Sequence, residues 1–208
     1  MSILVTAATH KELEPFLKEF PEAEVLITGV GMPVAIFELT VAMQQKRYQW
    51  VLQVGIAGAY EIQFIGKAFV VAKDCFGDVG VWEEGKMNSL FEMGFADADA
   101  KPFTNGWIEN EQIGSFTTYP VADAVTVATI SNLTDWNDTL NKQFGASIES
   151  MEGAALHYVC SRCNQPFLQI RGISNQVGER NKSKWNIDAA IASSNQLLAE
   201  IYKKLKQN

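Results

Sequence analysis

The feature that most constrains this chain is a set of short apolar runs that do not alternate polar with apolar residues. Residues 3–7, 24–28, 50–54 and 68–73 are built largely from Val, Ile, Leu, Ala and Phe. Runs of this kind suit strands covered on both faces, where a side chain is buried whichever way it points. Helical stretches separate the first three, at 11–20 and from Pro33 to about residue 46, and Pro33 suits a first helical turn. Further on, the pattern predicts a strand at 124–130 and a helix at about 135–144. A second helix opens at Ser150, Met151 and Glu152, followed by a strand at 167–170 and an amphipathic closing helix at 187–205. Alternating strands and helices predict an α/β sandwich with a mixed or mainly parallel sheet. A length of 208 residues suits one such domain, or at most two small ones. The middle, 75–119, breaks the rhythm. Trp82, Phe91, Phe95, Phe103 and Trp107 are scattered there among Gly and Asp, which predicts loops and a flap.

Charge and composition exclude several classes of function. The net charge is −7 and no useful run of Lys or Arg occurs, which argues against a nucleic-acid partner. Lys203, Lys204 and Lys206 are grouped, but at the end of the closing helix, where they complement its C-terminus. The apolar runs are too short to span a membrane. The first residues read as a strand with no charged leader, so the expectation is a cytoplasmic protein. Cys160 and Cys163 form a CxxC, but late in a helix, whereas a redox thiolate wants the helix N-terminus. They read as partly buried thiols. With two histidines and no ligand cluster, neither a metal nor an organic cofactor is expected.

The residues that could carry chemistry sit at strand and helix ends. Gly29-Val30-Gly31 precedes a helix and could offer backbone N–H groups to an anion, or simply form a tight turn. It lacks the dinucleotide spacing, and a Walker lysine is absent. Gly55-Ile56-Ala57-Gly58 allows close backbone approach at another strand end. Glu152 suits a helix start by the dipole alone, or could accept hydrogen bonds from vicinal hydroxyls of a sugar. Met151 beside it could be core or could pack on a ribose face. Asn175 follows an apolar strand, where an amide needs partners: it turns the chain, or it meets a ligand. Arg171 reads as a structural partner for local carboxylates. Glu12 lies just past the first strand, near the sheet's carboxyl edge, as does His10, the other candidate base. His157, five positions after Glu152, turns away from it and reads as a packing histidine.

Taken in order, the segments ATHKE, TGVG, VGIAGAY, AVTVATIS, SMEGAALHYVC and RGISN resemble the nucleoside phosphorylase and hydrolase superfamily across nearly the whole chain. Each is weak alone; the ordered set, above all SMEGAA followed by PFLQIRGISN, is specific. Within the superfamily the chain most resembles the futalosine hydrolases, relatives of methylthioadenosine/S-adenosylhomocysteine nucleosidase. The resemblance implies a single domain over 1–208, a three-layer α/β/α sandwich with a mixed central sheet, and cleavage of a purine N-ribosidic bond. It implies that Glu12 activates the attacking water and that Met151 and Glu152 contact the ribose. Asn175 would meet the purine near N7, Ile56, Ala57 and Gly58 would line the sugar and base, and Leu133 would pack the base. It also implies a homodimer or larger homo-oligomer, with the aromatic middle segment closing a neighbour's pocket.

Two departures from the pattern refine the expectation. Adenine-releasing relatives carry Asp where this chain has Asn175; a carboxamide can donate two hydrogens to N7 and O6 of a 6-oxopurine, although a flipped amide would accept from an adenine amino group. Phosphorolytic relatives carry Ser or Thr where this chain has Ile56, and supply arginines for phosphate. An apolar side chain there disfavours the anion, and this chain has only Arg47, Arg162, Arg171 and Arg180. The expected activity is therefore hydrolysis of futalosine to hypoxanthine and dehypoxanthine futalosine, in menaquinone biosynthesis. The alternatives are a nucleosidase or phosphorylase for methylthioadenosine, S-adenosylhomocysteine or inosine, and a non-catalytic nucleoside-binding protein. Lys73, Arg180 and Lys182 are candidates, by charge alone, for holding a carboxylate beyond ribose C5′.

Overall fold

The structure, a computed structural model, describes residues 2–207. Its first half runs β1 (Ile3–Ala7), α1 (His10–Glu19), β2 (Glu24–Ile27), α2 (Met32–Gln45), β3 (Trp50–Ala59) and β4 (Ala68–Phe76). A hairpin of β5 (Gly80–Glu83) and β6 (Lys86–Ser89) follows, then β7 (Ile108–Glu109) and β8 (Val121–Thr126). The chain ends with α3 (Thr134–Phe144), β9 (Ile148–Ser150), α4 (Gly153–Arg162), β10 (Phe167–Gln176) and α5 (Ile187–Gln207).

Apolar residues on alternate positions of the central strands go to opposite sides, which produces three layers. Val5, Leu52, Val54, Leu168 and Ile170 pack under Leu13 and Phe16 of α1 and Leu198, Ile201 and Tyr202 of α5. Leu4, Val51 and Phe167 face Leu39 of α2 and Leu156, Val159 and Cys160 of α4. Each fully buried Leu, Ile or Val contributes about 1.5–3 kcal/mol, so both helical layers are held chiefly by this burial.

The mixed sheet curls back on itself. β3 is parallel to β1 and to β10, and at Gly58 and Ala59 it is antiparallel to β9. β10 is antiparallel to β4, which is parallel to β8, and β8 is parallel to β9. The five strands β3, β10, β4, β8 and β9 thus form a closed ring, which removes their free edges. Ala57, Ala59, Val71, Ala122, Ala124, Ile148 and Ile173 pack together from all five, and their small size permits so tight a closure.

Several elements differ from the sequence-based expectation. β2 is the last strand in the order, and Val25 and Ile27 stand exposed, so it is covered incompletely rather than on both faces. β3 and β10 continue well past their apolar runs because each supplies the other's backbone hydrogen bonds, whatever the side chains. β8 lies at 121–126, earlier than predicted, and β9 is too short to carry a periodic signal. The segment 75–119 does not cover the cavity of its own chain, described below. Most of its aromatics pack on one another or on the helical layer: Phe103 meets Phe91 and Phe76, Trp107 meets Phe144, and Trp82 meets Trp136, while Phe95 stands exposed. Phe76, Phe91, Phe103 and Trp107 line a separate groove of about 1040 Å³. No described helix is long and apolar enough to cross a membrane.

Candidate active site

The carboxyl ends of β1, β3 and β10 and the loop entering α4 surround a cavity of about 340 Å³. Crevices at the carboxyl ends of strands are where open α/β sheets hold ligands. Glu12, Ile56, Ala57, Gly58, Met151, Glu152 and Asn175, far apart in the chain, all line it. Leu133 does not. It stands 65% exposed just ahead of α3, beside Trp82 and Trp136, while Ile130 and Ser131 supply the cavity wall from that loop. β8 ends at Thr126, and the chain leaves the cavity before reaching residue 133.

Glu12 is positioned by the start of α1. Its Oε2 accepts from the backbone N–H and the hydroxyl of Thr9, at 2.9 and 2.8 Å, and its Oε1 accepts from the Ile56 N–H at 3.1 Å. This is the reaching-back half of a helix capping box, here extended to a second strand end. His10 is exposed and outside the cavity lining.

Glu152 is the residue before the first turn of α4, which starts at Gly153 rather than at Ser150. The first helical N–H groups need acceptors. They find them in neighbouring strands: Gly153 N–H donates to Ser150 Oγ and Ala154 N–H to Thr126 Oγ1. The Glu152 carboxylate is thereby released from capping. Its Oε1 accepts from Gly31 N–H at 2.8 Å, so the anion met by the Gly29–Gly31 turn is the protein's own. Arg171 lies 3.9 Å from Oε2. Burial raises the Glu152 pKa, opposed by Arg171 and the Gly31 N–H, while the nearby charge of Glu12 adds to the rise.

Arg171 is the largest fully buried side chain, 1% exposed, and donates through Nη2 to Gln53 Oε1 at 2.6 Å. A side chain at Gly55 would collide with its Nη1 and lie 3.0 Å from Glu12 Oε1, so only glycine fits between them. Within its electrostatic reach is Asp74, wholly buried, whose Oδ1 accepts from Cys75 N–H and from the Thr126 hydroxyl. Burial pushes the Asp74 carboxyl up to about 7, against the pull of Thr126 and Arg171. Arg171 is thus a structural partner of the carboxylates, as its place in the sequence suggests.

Asn175 owes its aim to a β-bulge. The β3–β10 register pairs Ile173 with Ala57 and then Asn175 with Gly58, leaving Ser174 as the extra residue. Asn175 Oδ1 accepts from the Ser174 hydroxyl at 2.7 Å and Nδ2 donates to Gln176 O at 2.8 Å. A carbonyl can only accept, which fixes which end of the amide is nitrogen. One of the two N–H groups is therefore already engaged.

Other lining residues escaped the sequence reading. Glu149, on β9, accepts from the Tyr60 hydroxyl at 3.2 Å, and burial raises its carboxyl to about 7. Only a strand three residues long presents it, which left no pattern to read. Trp185 also lines the cavity and lies under Arg180 at 5.3 Å. Of the three cations considered for a distal carboxylate, Arg180 reaches the cavity; Lys73 pairs with Asp123 and lies over Trp107, and Lys182 is exposed outside the lining. His157 is buried, donates from Nδ1 to Ile108 O, and is held neutral by burial, which lowers it to about 4. Cys160 is buried with its pKa raised by burial, whereas Cys163 is exposed. Among the described residues no group of three or more His, Cys, Asp or Glu could hold a metal ion.

A closed five-strand ring flanked by helical layers, with carboxylates and an amide gathered at one end, defines an α/β enzyme-like scaffold with a small-molecule cavity. The chain belongs to the phosphorylase superfamily, whose family model matches residues 4–206. A futalosine hydrolase from Acidothermus cellulolyticus is 26% identical over 190 residues, covering 89% of this chain and 77% of the relative. Another from Thermus thermophilus is 27% identical over 175 residues, covering 81% and 76%. The solved structure of futalosine hydrolase from Helicobacter pylori shares the fold, with a TM-score of 0.79, 17% identity and 97% of each chain covered.

The buried Asp74 makes a pH prediction. Its folded pKa, about 7, lies above the ordinary aspartate value of 3.8, so the folded state binds the proton more tightly than the unfolded chain. That contribution is fully present below about pH 4 and is lost as the pH rises to about 7. The stability of Asp74→Asn relative to wild type, from urea unfolding, should therefore rise across this window and level off above it. Other titrating groups cancel in the difference, and parallel curves would remove Asp74 from the account.

Proposed function

We propose that the protein hydrolyses the N-ribosidic bond of a purine nucleoside, with futalosine as substrate and hypoxanthine as the released base. The observation that carries this reading is the convergence of Glu12, Glu152 and Asn175 on one cavity beside the apolar Ile56. Glu152, anchored through Oε1, offers Oε2 to the vicinal hydroxyls of ribose, with Met151 against the sugar face. Glu12 takes a proton from water as its oxygen bonds to C1′. The C1′–N9 bond breaks with its electrons passing to the purine, and the free N–H of Asn175 stabilises the charge near N7. The ring gains a proton on release. The 26–27% identity to two futalosine hydrolases supports the substrate class.

Water rather than phosphate is the nucleophile in this reading. The Ile56 N–H is already bound by Glu12, and its side chain offers nothing to an anion. Arg171 is engaged with Gln53 and Glu152, Arg47 and Arg162 donate to backbone carbonyls elsewhere on the surface, and Arg180, over Trp185, is among the described residues the one arginine in the cavity lining. We further propose a cytoplasmic homo-oligomer acting in menaquinone biosynthesis. The exposed Val30, Val34, Phe37 and Phe95 support self-association.

The reading predicts hypoxanthine release from futalosine in phosphate-free buffer, faster than base release from inosine or methylthioadenosine. Silence on all three substrates would refute it. Glu12→Gln should lower kcat by about 10²–10⁴-fold while a ribose-containing inhibitor still binds, and retained turnover would remove Glu12 from the role. Asn175→Asp should shift preference toward 6-aminopurine nucleosides, because a carboxylic acid can protonate N7; an unchanged kcat/KM ratio would count against Asn175.

A further inference from the structure

We propose that Glu149 selects the 6-oxopurine, accepting the N1–H of the base through Oε1 while Asn175 meets the N7 edge. The inference rests on the nucleoside-hydrolase reading of the cavity and adds a specificity residue to it. The need for such a residue follows from Asn175, which has one N–H engaged by Gln176 O. A single remaining donor distinguishes N7 from nothing, since hypoxanthine and adenine both present that acceptor.

Placement is the first support. Gly58 on β3 is in register with Asn175 on β10 and with Glu149 on β9, so the three stand in one row across adjacent strands. Registered neighbours project to the same face of a sheet. A methyl group on Gly58 would lie 3.4 Å from Asn175 Nδ2, and all three residues line the cavity. Because Gly58 has no side chain, the row is a slot with an amide on one side and a carboxyl on the other. Two strand spacings separate their Cα atoms by about 10 Å, the scale of a flat bicyclic ring with a hydrogen bond at its edge.

Chemistry is the second. The Tyr60 hydroxyl holds Oε2, while Oε1 has no protein donor among the described residues although Glu149 is only 6% exposed. Oε1 is not one of the sealed, unpartnered polar atoms of the domain, so it keeps access to solvent and is free to accept from a ligand N–H. Burial is the largest influence and, with Asp78, raises the Glu149 carboxyl to about 7, while the Tyr60 hydroxyl and Arg180 pull it back toward the ionised form. N1 of a 6-oxopurine carries a hydrogen, whereas N1 of a 6-aminopurine presents a lone pair. An ionised carboxylate accepts from the first and repels the second.

The test uses the full chain as wild type, Glu149→Val and Glu149→Gln. Calorimetric binding of hypoxanthine and 1-methylhypoxanthine is paired with base release from futalosine and its 6-amino analogue. Wild type should bind hypoxanthine at least tenfold tighter than 1-methylhypoxanthine, and Glu149→Val should reduce that ratio to about twofold. The kcat/KM preference for the 6-oxo nucleoside should fall at least tenfold in Glu149→Val. It should fall less in Glu149→Gln, whose amide oxygen can still accept. Equal losses on both nucleosides would make Glu149 a mere anchor for Tyr60 and overturn the proposal. So would a wild type that binds 1-methylhypoxanthine as tightly as hypoxanthine, or binds neither. Failure of the hydrolase reading looks different: hypoxanthine binds but no nucleoside releases its base, and the binding ratio alone then decides Glu149.

Discussion

A guanidinium buried under the cavity floor is the interaction on which the rest of the site depends. Arg171 has almost no solvent, and an unpaired charge there would cost several kcal/mol. It is tolerated because Gln53 takes one nitrogen, Glu152 stands at 3.9 Å, and Asp74 lies within its field. Those carboxylates need Arg171 equally, since burial pushes the pKa of both Glu152 and Asp74 upward. The absent side chain of Gly55 gives the guanidinium its room. A single cation on the central strand β10 therefore ties the cavity-lining Glu152 to the buried Asp74.

The closed ring of strands does the corresponding work for the other wall of the cavity. Pairing β3 with both β10 and β9 brings Asn175 and Glu149 to either side of Gly58. The bulge at Ser174 turns Asn175 into the cavity, and Ser150 and Thr126 satisfy the start of α4 so that Glu152 need not. Each of these devices uses backbone geometry set by rigid elements, which is how a site keeps its polar groups aligned before any ligand arrives.

The parts legible in the sequence were those with a local signal. Uninterrupted apolar runs marked the strands, although that of β2 is exposed, and Pro33 marked the start of α2. The polar residues after those runs, Glu12, Glu152 and Asn175, do converge on one cavity. What could not be read depended on pairing between distant segments. The closure of the ring, the three-residue β9 and the bulge at Ser174 arise from register, which no window of residues displays. Leu133 went astray because only loop geometry decides where the chain leaves β8, and Ile130 and Ser131 reach the cavity instead. The aromatics of 75–119 gave a sign of burial but not of its location, and they pack on α3 and α4 rather than over the cavity.

Whether water is the group that adds to C1′ is the central chemical claim, and the identity of the sugar product tests it most directly. Futalosine can be turned over to completion in phosphate buffer and the mixture followed by phosphorus NMR. An apolar Ile56 beside a Glu12-activated water predicts a free reducing sugar and no resonance beyond inorganic phosphate. A sugar 1-phosphate ester accumulating in step with hypoxanthine would contradict it and make the enzyme a phosphorylase.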